Sequence, residues 1–169
     1  FDDFDTDNNG EITLDNTQLR IEVDEDNAVN SSALKFRIDG GDVVTINSDG
    51  EMGVGTNNPD AMLHVSKSVS TAYDATADSA QRSGTATINI ENNDGSVNSF
   101  AQITFDNAGS NQSIARIVAL RTGSASNALT FVTEHGNSKG ERLRIASGGN
   151  VGINQITPES RLHISEAGS

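Results

Sequence analysis

The stretch Val44–Ser66, VTINSDGEMGVGTNNPDAMLHVS, is written a second time without a gap as Leu143–Ser165, LRIASGGNVGINQITPESRLHIS, at a spacing of 99 residues (44 to 143). Identity falls at Ile46/Ile145, Ser48/Ser147, Gly50/Gly149, Gly53/Gly152, Pro59/Pro158, Leu63/Leu162, His64/His163 and Ser66/Ser165. Between them the exchanges are mild: Met52 for Val151, Val54 for Ile153, Val65 for Ile164. An internal repeat of this kind constrains the architecture before any local propensity is weighed.

The two copies define one geometry. A three-residue loop, Ser48-Asp49-Gly50, sets Ile46 opposite Met52 and Val44 opposite Val54, so that all four share a face; a two-residue loop would set apolar residues against glycine. The second copy does the same around Ser147-Gly148-Gly149, with Ile145 meeting Val151 and Leu143 meeting Ile153. Gly50 and Gly149 take the left-handed position that closes such a turn. Gly55 is replaced by Asn154, the residue that best stands in for glycine at positive φ, which marks a second special backbone position. Gly53 and Gly152 face away from the aliphatic side and would let a neighbouring chain's backbone approach. Pro59 and Pro158 start the next turn, and a short strand follows, Leu63-His64-Val65 or Leu162-His163-Ile164, with its aliphatics on one face and His on the other.

Composition asks where a core would come from. Hydrophobic residues make up 34% of the 169 and aromatics 4%, with no Trp, against about 45–50% apolar in ordinary domains. A single chain would struggle to offset its conformational entropy with that much burial. Yet the apolar residues fall in short alternating runs, which disordered segments lack. Both facts are met by a core shared between several chains. Cysteine is absent, so disulfides and thiolate metal sites are excluded, and no apolar run has membrane length. The chain opens on Phe1-Asp2, as expected of an excerpt of a longer polypeptide or a processed product. The net charge of −13 is the wrong sign for nucleic acid. It is concentrated in Phe1–Glu51, where 14 acidic residues meet 3 basic ones, and a solvated exterior accounts for it.

Five segments follow. Residues 1–32 are an acidic N-terminal β segment, with strands expected over Glu11–Leu14 and Leu19–Val23. Residues 33–66 are the first repeat, 67–84 a spacer with the only helical tendency, 85–127 a β-meander, and 128–169 the second repeat. Strands are expected over 86–90, 100–105 and 114–120, and Ala128-Leu129-Thr130-Phe131 echoes Ala33-Leu34-Lys35-Phe36 at a spacing of 95. The whole reads as all-β, antiparallel hairpins throughout.

Little of this carries chemistry. Asp5-Thr6-Asp7-Asn8-Asn9-Gly10-Glu11-Ile12 matches the first eight positions of an EF-hand-type calcium loop, but the twelfth is Asn16 and no entering helix precedes it. An Asx-rich turn is the preferred reading; were calcium bound, Asp5, Asp7, Asn9 and the Glu11 carbonyl would be its ligands. No other cofactor is expected. His64 and His163 occupy equivalent repeat positions, which fits a structural role better than a catalytic base written twice. His135 has no nucleophile beside it, Gly53-Val54-Gly55 is not a phosphate loop, and the carboxylates Asp49/Glu51 and Glu134/Glu141 are too ordinary in this composition to mark a glycosidase. The expectation is a protein without enzymatic activity.

Glu141–Ser165, ERLRIASGGNVGINQITPESRLHIS, and more loosely Val43–Ser66, VVTINSDGEMGVGTNNPDAMLHVS, resemble a segment recurring in bacteriophage tail fibre proteins, those of marine and cyanobacterial phages especially. The resemblance covers about a third of the chain; where the family pattern has Gly, this chain has Asn154. It implies an elongated, intertwined homotrimeric fibre built of short hairpins and small β-modules, located in the virion. Its partners would be two copies of itself, other tail or baseplate proteins, and a host polysaccharide or outer-membrane receptor, with no membrane insertion. The residues expected to line the trimer core are Ile46, Met52, Val54, Leu63 and Val65 in the first repeat, and Ile145, Val151, Ile153, Leu162 and Ile164 in the second. The alternatives are a polysaccharide-degrading tailspike and a bacterial surface adhesin or filament module.

Overall fold

The structure, a computed structural model, describes residues 10–15, 18–23, 31–77, 79–107 and 113–166. Its elements in order are β1 (Gly10–Asp15), β2 (Gln18–Val23), β3 (Ala33–Ile38), β4 (Gly41–Asn47), β5 (Met52–Val54), β6 (Leu63–Val65), α1 (Ser79–Ser83), β7 (Phe100–Asp106), β8 (Ile114–Gly123), β9 (Ser126–His135), β10 (Ser138–Ile145), β11 (Val151–Ile153) and β12 (Leu162–Ile164). The chain divides into two units, Phe1–Asn89 and Ile90–Ser169, each holding one copy of the repeat. The first unit contains the hairpin β1-β2 and a four-stranded sheet β3-β4-β5-β6; the second contains one six-stranded sheet, β7-β8-β9-β10-β11-β12. The meander and the second repeat therefore share a single sheet.

Each repeat is built by the same four strands. β3 turns into β4 through Asp39 and Gly40, and β9 into β10 through Gly136 and Asn137, all four at positive φ, as the tight hairpin turn that matches strand twist demands. A bulge follows at the same repeat position, Val43 in one copy and Arg142 in the other. The carbonyl it frees accepts the N–H of Gly55 (3.1 Å) or Asn154 (2.9 Å), the residues at φ 76° and 54°. That bond is why the position after β5 and β11 needs left-handed backbone. The three-residue loops form as their sequence predicts: Val44 pairs with Val54 and Ile46 with Met52, Leu143 with Ile153 and Ile145 with Val151, with Gly50 and Gly149 at φ 79° and 85°.

The structure departs from the sequence reading in two places. β6 runs parallel to β5, and β12 to β11, so both large sheets are mixed. Parallel neighbours ordinarily need a long crossover, but strands of three residues are only about 7 Å long at ~3.3 Å per residue, and the eight residues 55–62 suffice to return the chain to its starting end. Residues 86–90 form no strand; Ile90 lines a pocket together with Ala101, Gln102, Ile103, Ile117, Ala119 and Leu129. The spacer, the segment with the only helical tendency, holds a helix of five residues.

Candidate functional site

In both sheets the two faces differ in kind. On one face of the first repeat, Leu34, Ile46, Met52 and Leu63 make a row across four strands, and Phe36, Val44, Val54 and Val65 the row beside it. In the second, the rows run across all six strands: Ala101, Ala119, Leu129, Ile145, Val151, Leu162, and Ile103, Ile117, Phe131, Leu143, Ile153, Ile164. Every position in these rows is apolar. The opposite face carries Lys35, Thr45, Gly53 and His64 in the first repeat and Gln102, Val118, Thr130, Arg144, Gly152 and His163 in the second.

It is the polar face that the chain covers. Residues 55–62 and 154–161 fold back over it, and the reason lies in Gly53 and Gly152. A Cβ on Gly53 would stand 2.4 Å from the Thr56 carbonyl oxygen, and one on Gly152 2.0 Å from that of Gln155. The backbone for which these glycines make room is thus their own chain's return loop, and not a neighbouring chain's as the sequence reading expected. Thr45 donates from Oγ1 to Asn57 Oδ1 (2.9 Å) and is 1% exposed. Pro59 of the same loop is buried, and Asn150 Nδ2 donates to the Pro158 carbonyl (3.0 Å). In place of Thr45 the second repeat has Arg144, held by Glu141 through two bonds of 2.6 and 2.8 Å, contacts that raise the guanidinium's pKa. Asn154 Nδ2 and Gln155 Nε2 reach Ser165 and tie the loop to the end of β12.

Among the described residues, the buried positions are Thr45, Gly53, Pro59, Val118, Ala128, Thr130 and Gly152. All seven lie on or over the polar side. The sixteen row positions of the two repeats, including the ten expected to line a shared core, are half-buried or exposed, from 39% for Leu129, Ile145 and Ile153 up to 62% for Ile164 among the exposed ones. The β1-β2 hairpin follows suit: Ile12, Ile21 and Leu19 share a face and are exposed. Each module has sealed its polar side with its own chain and left its apolar side open, the reverse of an ordinary solvated sheet.

The remaining candidates are tied into turns and strands. His64 Nδ1 lies 3.0 Å from Asp60 Oδ1, at an angle that makes no hydrogen bond; at the equivalent place His163 Nδ1 accepts the Glu159 N–H at 3.4 Å. Glu51 accepts from Asn47 Nδ2, and the Asn47 side chain accepts the N–H groups of Asp49 and Glu51. Glu134 accepts the Ile114 N–H (3.0 Å) and Lys139 Nζ (3.3 Å). His135 pairs across the β9-β10 turn with Ser138. Asp5, Asp7 and Asn9 lie outside the described residues, and Glu11 lies in β1 opposite Glu22. Among the described residues, no three His, Asp or Glu side chains are gathered to hold a metal ion, and no helix is long and apolar enough to cross a membrane.

The sequence points to the open face through its alternation. It gave no signal that the polar face would be the covered one, because a return loop closing on a glycine is a backbone contact. No protein-family model matches the chain, and no curated protein matches it.

Proposed function

We propose that the chain is a non-enzymatic segment of a viral tail fibre, a homotrimeric β-rich shaft or shaft-to-tip module whose full fibre attaches to the host surface. The observation that carries the reading is the pair of apolar rows left open in each repeat, on modules whose polar side is already closed. Burying a fully exposed aliphatic side chain is worth about 1.5–3 kcal/mol. Eight half-exposed ones in a repeat then supply roughly 8 kcal/mol per copy before the costs of association are met. That is the scale on which a chain poor in apolar residues becomes stable by joining copies of itself. The resemblance of Glu141–Ser165 to tail fibre segments adds the number three and the viral context.

Attachment follows from multivalency. Three identical weak sites on one rigid assembly raise avidity without any new contact, and a host polysaccharide or outer-membrane component is the partner this favours. The test is the mass of the purified chain in solution, by light scattering, and its mobility in detergent with and without heating. Three times 17.7 kDa, reverting to one on heating, is expected; a stably folded particle of one chain mass overturns the reading.

A further inference from the structure

We infer that the six-stranded sheet closes edge to edge with the same sheet of two further copies, β12 of one copy beside β7 of the next; this rests on the homotrimer proposed above. β7 and β12 are the two edges of that sheet. Natural sheets guard their edges with charge, bulges or brevity. β3, an edge of the four-stranded sheet, carries Lys35 and Arg37, both paired to Asp42 (2.9 and 2.8 Å), and a register shift. β6 and β12 have three residues each. β7, FAQITFD, has seven residues in unbroken register and no charge before Asp106. Among the described residues no strand pairs with its outer edge; Asn92 Nδ2 donates to the Phe100 carbonyl at its start (2.9 Å).

The peptide groups of the two edges match. The Ser99 carbonyl bonds back to Arg121 of β8, so the alternate residues Phe100, Gln102 and Thr104 turn their N–H and C=O outward. On β12 the Arg161 carbonyl and the Ser165 N–H bond to β11, which turns Leu162 and Ile164 outward. Gln102 of the next copy can then bond to the Leu162 carbonyl and the Ile164 N–H, standing opposite His163. The directions agree as well: one parallel and four antiparallel steps separate the edges, so β7 and β12 run the same way and join in parallel under rotation about an axis along the strands. Like edges would pair about a two-fold axis and stop at two copies, whereas unlike edges close a ring.

Side chains on both faces fit this joint. On the apolar face, the rows ending at Leu162 and Ile164 run on into Ala101 and Ile103, and the exposure of Leu162, Ile164 and Ile103 (56%, 62% and 47%) is relieved. On the polar face Gln102 Oε1 is screened from water and has no hydrogen-bond partner in its own chain. His163 accepts at Nδ1, which leaves its ring proton on Nε2 as a donor. Rotation of the Gln102 amide toward the joint brings the unmet acceptor to that donor.

The chain has no cysteine, which makes the test direct. A Gln102→Cys/His163→Cys variant is to be oxidised mildly and run on denaturing gels without reductant, with its reduced mass measured in parallel. Covalent dimers and trimers in the double variant, and neither in each single variant, are expected. Should that variant fail to assemble, Ala101→Cys/Leu162→Cys asks the same question on the opposite face. A particle of trimer mass with no link in either pair, or dimers from Ile103→Cys alone through like-edge pairing, overturns the edge joint and leaves the trimer standing. A monomer mass for the unaltered chain overturns both.

Discussion

Gly53 and Gly152 decide the fold of the repeat, and their role differs from that of the turn glycines. Gly50 and Gly149 have positive φ and open or ordinary space where a Cβ would stand; alanine there meets only the backbone preference, about 1 kcal/mol. At Gly53 and Gly152 the Cβ would enter the carbonyl of the return loop, and the loop cannot yield without freeing β6 or β12. Gly53→Ala and Gly152→Ala are therefore expected to destabilise by about 3 kcal/mol, the upper range of overpacking, and Gly50→Ala by about a third of that. Denaturant midpoints measured at one fixed protein concentration check this, since stability linked to assembly shifts with concentration; equal losses at Gly50 and Gly53 would contradict it. The turn glycines and Asn154 were legible because positive φ selects a residue type. The crowding at Gly53 was not, because glycine in a strand looks the same whichever backbone approaches it.

At the level of elements, hairpin register was legible from the two copies together, since only a three-residue loop keeps four apolar residues on one face in both. The parallel return of β6 and β12 was not, because Leu-His-Val alternates equally well in either direction. Residues 86–90 have strand composition, yet they form no strand, and Ile90 lines a pocket with residues of β7, β8 and β9. Beyond the ladder, Glu134 of β9, whose side chain is 5% exposed, ties the first residue of β8 to β9 through the Ile114 N–H. The Ile114 N–H, foremost, and then Lys139 hold its carboxyl below the usual glutamate range, against burial and the nearby Asp106 charge. A depressed folded pKa gives stability that is fully present above the unfolded value and is lost as pH falls through the folded one. Unfolding midpoints should thus fall below about pH 5, where carboxylates begin to protonate, and Glu134→Gln should flatten part of that limb while keeping an acceptor for Ile114. An unchanged acid limb in the variant would show that Glu134 contributes nothing to it.

For the molecule as a whole, the distribution of apolar residues over faces matters more than their number. Ile153 and Ile156 are three residues apart, and Ile156 is the more exposed, 59% against 39%. Exposure alone would make Ile156 the better candidate for an interface. Their places argue otherwise: Ile153 lies in a row of six apolar residues on the open face, while Ile156 sits on the return loop that covers the polar face, and single exposed aliphatics are ordinary on protein surfaces. In the proposed assembly Ile153→Asp would put a carboxylate inside the core between copies, where an unpaired charge costs several kcal/mol. Its particle is expected to lose the trimer mass or to melt far below the unaltered chain. Ile156→Asp should leave mass and midpoint as they were. Sedimentation of the two variants side by side separates the face from the residue type, because the same substitution is made at both places. Were Ile153→Asp to sediment like the unaltered chain, the open rows would not be where the copies meet.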